Sequence, residues 1–519
     1  MAVVEGEQGQ QPLNRTPVLV GLVLTLALTA LDSTVVATAV PAIVHDLSGF
    51  SLFPWLFSIY LLVQAAVIPI YGKLADIYGR KPILIAGTVI FLAGSALAGV
   101  SWSMVALIVF RGFQGIGGGA ISSVTFTVVG DLYSVEERGR VQGWLSSVWA
   151  VAGVIGPLIG GFFAEYASWR WIFYLNLPVG AAALVVLVVA FHERVERHQH
   201  QLDVAGAALL AGGTGLVILG LLEGGVDWPW LSAPSVGIFA LAAAALLLFV
   251  RQEQRHREPM MPLWVFRNQL IFRTTLAGGA VVGLIIIGLT TYLPTYAVDV
   301  LGTSAVVAGF IYGAMVVAWP IASARSNLLY MRIGFRDTAL IGAAITVVAA
   351  VLFALLTPAT PLWLVCVAGG VMGIGAGLMS TPLLVGIQSV VGWSERGVVT
   401  GTNMFGRQMG QALGAAIFGT IANTTLVNWF GAAPRALRAQ LPSSLNAANS
   451  DLGNGSRLDA AAQAYLQHGL FLATRNVFIG LAIGTVLGLL VVAITPRVFR
   501  PVGLPAEAGT PGSSVPAGH

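Results

Sequence analysis

Apolar runs of about 20 residues recur along the 519-residue chain, and nothing in the sequence constrains its fold more. A helix of that length crosses the hydrocarbon core of a bilayer. Fourteen such runs can be read, from Val18–Val40 to Gly469–Ile494. Only 9% of residues are charged, against about 25% in a soluble domain. Within a bilayer, helices and closed barrels alone satisfy their own backbone groups. The runs show no period-two alternation, so an all-α polytopic membrane protein is expected.

Charge sets the orientation. An even number of spans puts both termini on one side. Of 26 Lys and Arg residues, 19 fall on that side and four (Arg170, Arg435, Arg438 and Arg457) on the other, while Arg111, Arg407 and Arg475 lie within or close to spans. By the positive-inside rule both termini are expected to be cytoplasmic, and the expected location is the cell's inner (cytoplasmic) membrane. The net charge of +4 sits in short connections, which argues against a nucleic-acid partner. One cysteine, Cys366, rules out a disulfide framework. No cleavable signal is expected, because Met1–Pro17 is polar and acidic.

Few polar residues fall inside the runs, and each invites a question. Asp32 lies some 8 residues, or about 12 Å, from the far end of the first run. Burying a carboxylate there costs roughly 3 kcal/mol, so a functional role is the default. Thr25, Thr29 and Asp32 form one stripe. Arg111 lies at a matched depth in the fourth run, Met104–Val128. Glu165, Glu223 and Asp299 fall at outer ends, where water is expected to reach them. Gly153, Gly156 and Gly160 share a face of the fifth run, with Pro157 and Gly161 beside them, and permit a close helix approach with a bend. Asn403, Arg407 and Gln411 form a polar stripe in the thirteenth run. Tyr292 and Tyr296 read as an outer aromatic belt. His192, Glu196 and His200 share a helical face, but their charged and polar neighbours favour a solvated linker over a metal site. Asn454-Gly455-Ser456 reads as a turn.

The connection Gly72–Pro82, GKLADIYGRKP, is more specific. Its cations are topogenic, and Gly72 and Gly79 allow tight turns. G-x-L-A-D-x-x-G-R-K resembles the loop signature of the major facilitator superfamily, through Gly72, Asp76, Gly79, Arg80 and Lys81. LDSTVV at Leu31–Val36 resembles the first-helix signature of its drug:proton antiporter branch. RGFQGIGGGA matches the fourth-helix motif through Arg111, Gln114, Gly115 and Gly117. GVIGPLIGG resembles the antiporter motif. WRWIFYLNLP and TGTNMFGRQMGQALG resemble the fourteen-helix antiporters of the EmrB/QacA type.

The resemblance implies a domain plan: a disordered cytoplasmic segment 1–16, a six-helix bundle 17–192, two inserted helices with linkers 193–268, a second six-helix bundle 269–496 with an external loop 428–468, and a disordered tail 497–519. It further implies proton coupling at Asp32 and Arg111, and a substrate cavity near Thr29, Gln114, Asn403, Arg407 and Gln411. Gating would fall to the loop signature and to Gly153, Gly156, Pro157, Gly160 and Gly161. The expected activity is proton-coupled export of lipophilic, including cationic, drugs by a monomer, with the proton gradient in place of any cofactor. A dedicated exporter of one endogenous metabolite, lipid or antibiotic is the alternative. No clustered catalytic or metal set suggests an enzyme. The second half departs from the pattern: aligning Gly334 with Gly79 puts Met331 where Asp76 would stand.

Overall fold

The computed structural model describes residues 15–48, 55–193, 203–224, 228–256, 261–434 and 460–500, with the single residues 52, 259 and 437. Most of segment 1–16, Glu196, His200, nearly all of 435–459 with the Asn454 sequon, and the tail 501–519 lie outside them. Among the described residues no group of His, Cys, Asp and Glu could hold a metal ion.

Fourteen long helices account for the described chain. They are α1 (Arg15–Leu47), α2 (Trp55–Tyr78), α3 (Arg80–Gly99), α4 (Met104–Leu132), α5 (Val135–Tyr166), α6 (Trp171–Ala190) and α7 (Val204–Glu223). There follow α8 (Ala233–Glu253), α9 (Gln269–Val300), α10 (Ala305–Ile333), α11 (Phe335–Ala354), α12 (Leu362–Ser389), α13 (Arg396–Gly431) and α14 (Ala460–Ala493). Thirteen are long and apolar enough to cross a membrane. The other, α13, is 36 residues long and more polar, carrying Asn403, Arg407, Gln408 and Gln411. The chain is a multi-pass membrane protein of all-α fold.

The connection Gly72–Pro82 is not a loop. α2 runs to Tyr78 and α3 starts at Arg80, so the turn is Gly79 alone, at φ 95°. Gly334 makes the same turn between α10 and α11 at φ 88°. Residues with a Cβ avoid that backbone region, so glycine stands at both. The helices outrun their apolar cores here because polar side chains extend each helix past the hydrocarbon.

Contacts repeat between the halves. α2 and α3 pack on α4, and α1 packs on α5 and α6. In the same pattern α10 and α11 pack on α12, and α9 packs on α13 and α14. Two seams join the halves, α2 with α13 and α5 with α10, and a pseudo-two-fold exchanges them. The α7–α8 pair is extra to this pattern. α7 lies along the α2–α13 seam, where Ile218 packs with Ala65 and Ala412.

Two expectations from position are corrected. Tyr292 and Tyr296 are buried rather than belted at an interface. Their rings meet Phe418 and Phe478, and the Tyr296 hydroxyl donates to the Thr357 carbonyl at 2.8 Å. Glu223 is buried rather than wetted. In α9 the ladder slips to π-helix at Leu276–Val281 and Tyr296–Val300, which periodicity did not reveal.

Candidate functional site

Asp32 and Arg111 meet inside the N-terminal bundle. Arg111 Nη1 lies 2.5 Å from Asp32 Oδ2, and both side chains are 1% exposed. Gln114 Nε2 donates to Asp32 Oδ1 at 2.9 Å, and its Oε1 accepts from Arg111 Nη1 at 2.7 Å. Asn176 of α6 adds a bond to Asp32 Oδ1 at 3.3 Å and reaches Ser95 of α3 at 2.9 Å. The Arg111 guanidinium stands over the Tyr60 ring, 4.5 Å from its centroid, and Nε donates to the Leu56 carbonyl. Four helices thus meet at one ion pair, and α3 backs it through Ser95. A buried pair compensates its desolvation only when further hydrogen bonds complete it, as they do here. Losing the Asp32 charge would leave Arg111 with Gln114, the Leu56 carbonyl and the Tyr60 ring, and with no counter-charge.

Around this pair, the expected cavity residues divide. Thr29 is buried with its hydroxyl turned to the Leu26 carbonyl of its own helix, and Gln114 is spent on Asp32. Neither faces open space in this conformation, because short or amide side chains inside a bundle satisfy themselves locally. Asn403 is fully buried. Arg407 and Gln411 are half-buried on α13. Gln411 donates to Gln408, Gln408 to Gln64 of α2, and Gln64 to Ser122 of α4, a chain of amides from one bundle to the other.

The bundles are tied together at their basic end. Asp76 accepts from the backbone N–H of Gly397 at 2.9 Å and of Val398 at 2.8 Å, so a carboxylate of α2 caps the N-terminus of α13. Arg80 bonds Asp76 and Asp131 and stacks 3.5 Å from the centroid of the Trp393 ring. Arg396 bonds Asp131 from the other half at 3.0 Å. Lys81 takes no part in this; its Nζ donates to the Val188 carbonyl, and Glu193 caps α3. On the second seam, Asn327 donates to the Glu136 carbonyl and Tyr330 to that of Val135.

A comparison with known families is decisive. The family model described as Major Facilitator Superfamily matches residues 22–415. The chain belongs to the major facilitator superfamily. As such it is a transporter rather than an enzyme. Over 419 residues it is 34% identical to the multidrug transporter protein MdtP of Bacillus subtilis, covering 81% of this chain and 76% of that one. It is also 34% identical over 411 residues to multidrug resistance protein 3 of the same organism, covering 79% and 80%. Among solved structures, a bacterial homologue of the iron transporter ferroportin in an outward-facing state superposes with a TM-score of 0.60 at 13% identity, covering 91% of this chain and 98% of that one. The human organic anion transporter TETRAN does so at 0.56 and 16%, covering 93% and 100%.

Within this major facilitator fold the glycines of α5 are not one seam. Gly156 and Gly160 lie against Thr34, Val35 and Thr38 of α1. A Cβ on Gly153 or Gly161 would meet nothing within 4 Å. α1 covers only part of α5, so the shared face of Gly153, Gly156 and Gly160 is divided. Pro157 lies within the helix. Asp131, Trp393, Arg396 and Asn176 escaped the reading of the sequence. Asp131 and Arg396 lie at helix ends, where a charge needs no special explanation, and Asn176 lacks charge.

Proposed function

We propose that this major facilitator protein exports lipophilic drugs or toxic compounds across the cytoplasmic membrane in exchange for protons, working as a monomer with both termini inside. The carrying observation is the Asp32–Arg111 pair, an acid and a base buried together at depth in α1 and α4. A coupling group must exchange a proton with water in one conformation and be held away from it in another. Asp32 is held away here by four helices, and rocking of the bundles would expose it. Protonation would release Arg111 and Gln114 and loosen the packing of α1 on α4. The names of the Bacillus relatives support drugs as the cargo.

The test uses proteoliposomes energised by a pH difference, with ethidium as cargo. Asp32→Asn should insert normally yet fail to accumulate dye against a gradient, while equilibrating it downhill. Uphill accumulation by that variant would refute the coupling role.

A further inference from the structure

The C-terminal bundle holds a cation with no partner among the described residues. Arg407 sits 11 residues into α13, about 16 Å from its basic end. Its Nε is buried without a hydrogen-bond partner among the described residues. The acids of the C-terminal bundle among the described residues are Asp299, Asp337 and Glu395, which lie at helix ends. The buried acids of the N-terminal bundle are engaged elsewhere, Asp32 by Arg111 and Asp76 by Arg80 and α13's N-terminus. One turn before Arg407, Asn403 is 0% exposed and neither of its amide atoms is hydrogen-bonded. A buried amide with both atoms unpaired is rare in native structures, and so is a half-buried guanidinium left alone.

The direction of this stripe follows from its neighbours. Gly406 and Gly410 of α13 lie against Thr275 and Ala280 of α9. Gln408 and Ala412 face Gln64 and Ala65 of α2. The backbones of Asn403, Arg407 and Gln411 lie against Gly279 and Gly283 of α9, so at about 100° per residue Arg407 and Gln411 leave α13 at the edge of the α9 contact, on the side that turns toward α2.

We infer that Arg407 and Asn403 form a subsite for a negatively charged group on the cargo, such as a carboxylate. This rests on the export reading above and adds lipophilic anions and zwitterions to its cargo. Asp32 is engaged by Arg111, whereas Arg407 Nε has no hydrogen-bond partner among the described residues and is free to meet an anionic group. A guanidinium offers a carboxylate two parallel N–H donors, and Asn403 can add a third.

The experiment measures equilibrium binding of dansyl-leucine and of its carboxamide to the purified full-length chain. The two probes differ only in charge and one acceptor. The wild type should bind the carboxylate about ten-fold more tightly than the amide. Arg407→Gln should bring the ratio to about one, and Arg407→Lys should keep part of it. Equal affinities in the wild type, no binding of the carboxylate, or an unchanged ratio in Arg407→Gln would each overturn the inference. Ethidium accumulation in the pH-driven assay is read separately, so a protein that pumps ethidium yet shows no carboxylate preference loses this inference alone.

Discussion

Asp76 presents both carboxylate oxygens to another helix's first turn. Oδ1 accepts from Gly397 and Oδ2 from Val398, with Arg80 Nη2 on Oδ1 at 2.8 Å. Hydrogen bonds to a charged group contribute roughly 2 kcal/mol each when buried, and the helix dipole adds to them. Asp76→Asn keeps the shape but removes the charge and one acceptor. It should weaken closure of the basic end by about 2 kcal/mol, near thirty-fold in the equilibrium. Spin-label distances across that end, between the α4–α5 and α12–α13 turns, should then show a longer population; an unchanged distribution would refute the latch. Arg111→Ala tests the other ion pair. It strands a buried carboxylate, so cargo export should fall at least ten-fold while Tyr60 and Leu56 keep the local backbone in place. Asp76 and Arg80 were legible from their spelling, and Asp32 from a charge where none is cheap. Their partners were not. Gly397 lies 321 residues from Asp76, and only the fold brings it there.

Helix packing supplies the next test. Without a hydrophobic force between helices in lipid, close approach and dispersion hold them together. Gly156 abuts Thr34 of α1, so a side chain there has no room. Gly156→Leu should separate α1 from α5 and abolish export, whereas Gly153→Leu, built into open space, should leave export within about two-fold of wild type. Equal loss in both would mean that the glycines serve folding generally, and wild-type rates in both would mean the seam is incidental. Sequence spacing put Gly153 and Gly156 on one face. It had no way to know that α1 covers half of that face. The same limit hid the π-helical segments of α9; Gly279 within the first and Gly283 just after it let the backbone of α9 meet that of α13. The spans themselves were legible, because the cost of exposing polar backbone to lipid leaves the chain no alternative to long apolar helices. The loop at Gly72–Pro82 was misread because apolar runs mark the hydrocarbon, and α2 and α3 continue past it.

At the scale of the molecule, the bundles are joined by hydrogen bonds concentrated at the basic end. Asp76, Arg80, Asp131 and Arg396 tie one seam, and Asn327 and Tyr330 tie the other. Beyond Gly143, which packs on Ala324, a Cβ on Gly153 of α5 or on Gly309 or Gly313 of α10 would meet nothing within 4 Å. If the bundles rock, this end must open in every cycle. One charge crossing 100 mV supplies about 2.3 kcal/mol, comparable to a single charged hydrogen bond, so contacts at the opposite end must replace most of what the latch loses. Preventing that exchange should therefore stop transport without disturbing the fold. Cysteines in place of Glu136 and Asn327, in a Cys366→Ser background, would be joined by a short bis-thiosulfonate reagent, since the Asn327 side chain already reaches the Glu136 carbonyl at 2.8 Å. Cross-linked protein should lose export, regain it on reduction, and still bind cargo from the opposite side. The single variants, treated identically, should retain export. Export at the wild-type rate with the cross-link intact would mean that this seam stays closed throughout the cycle. Movement would then have to be confined to the α2–α13 seam, where α7 lies against both partners.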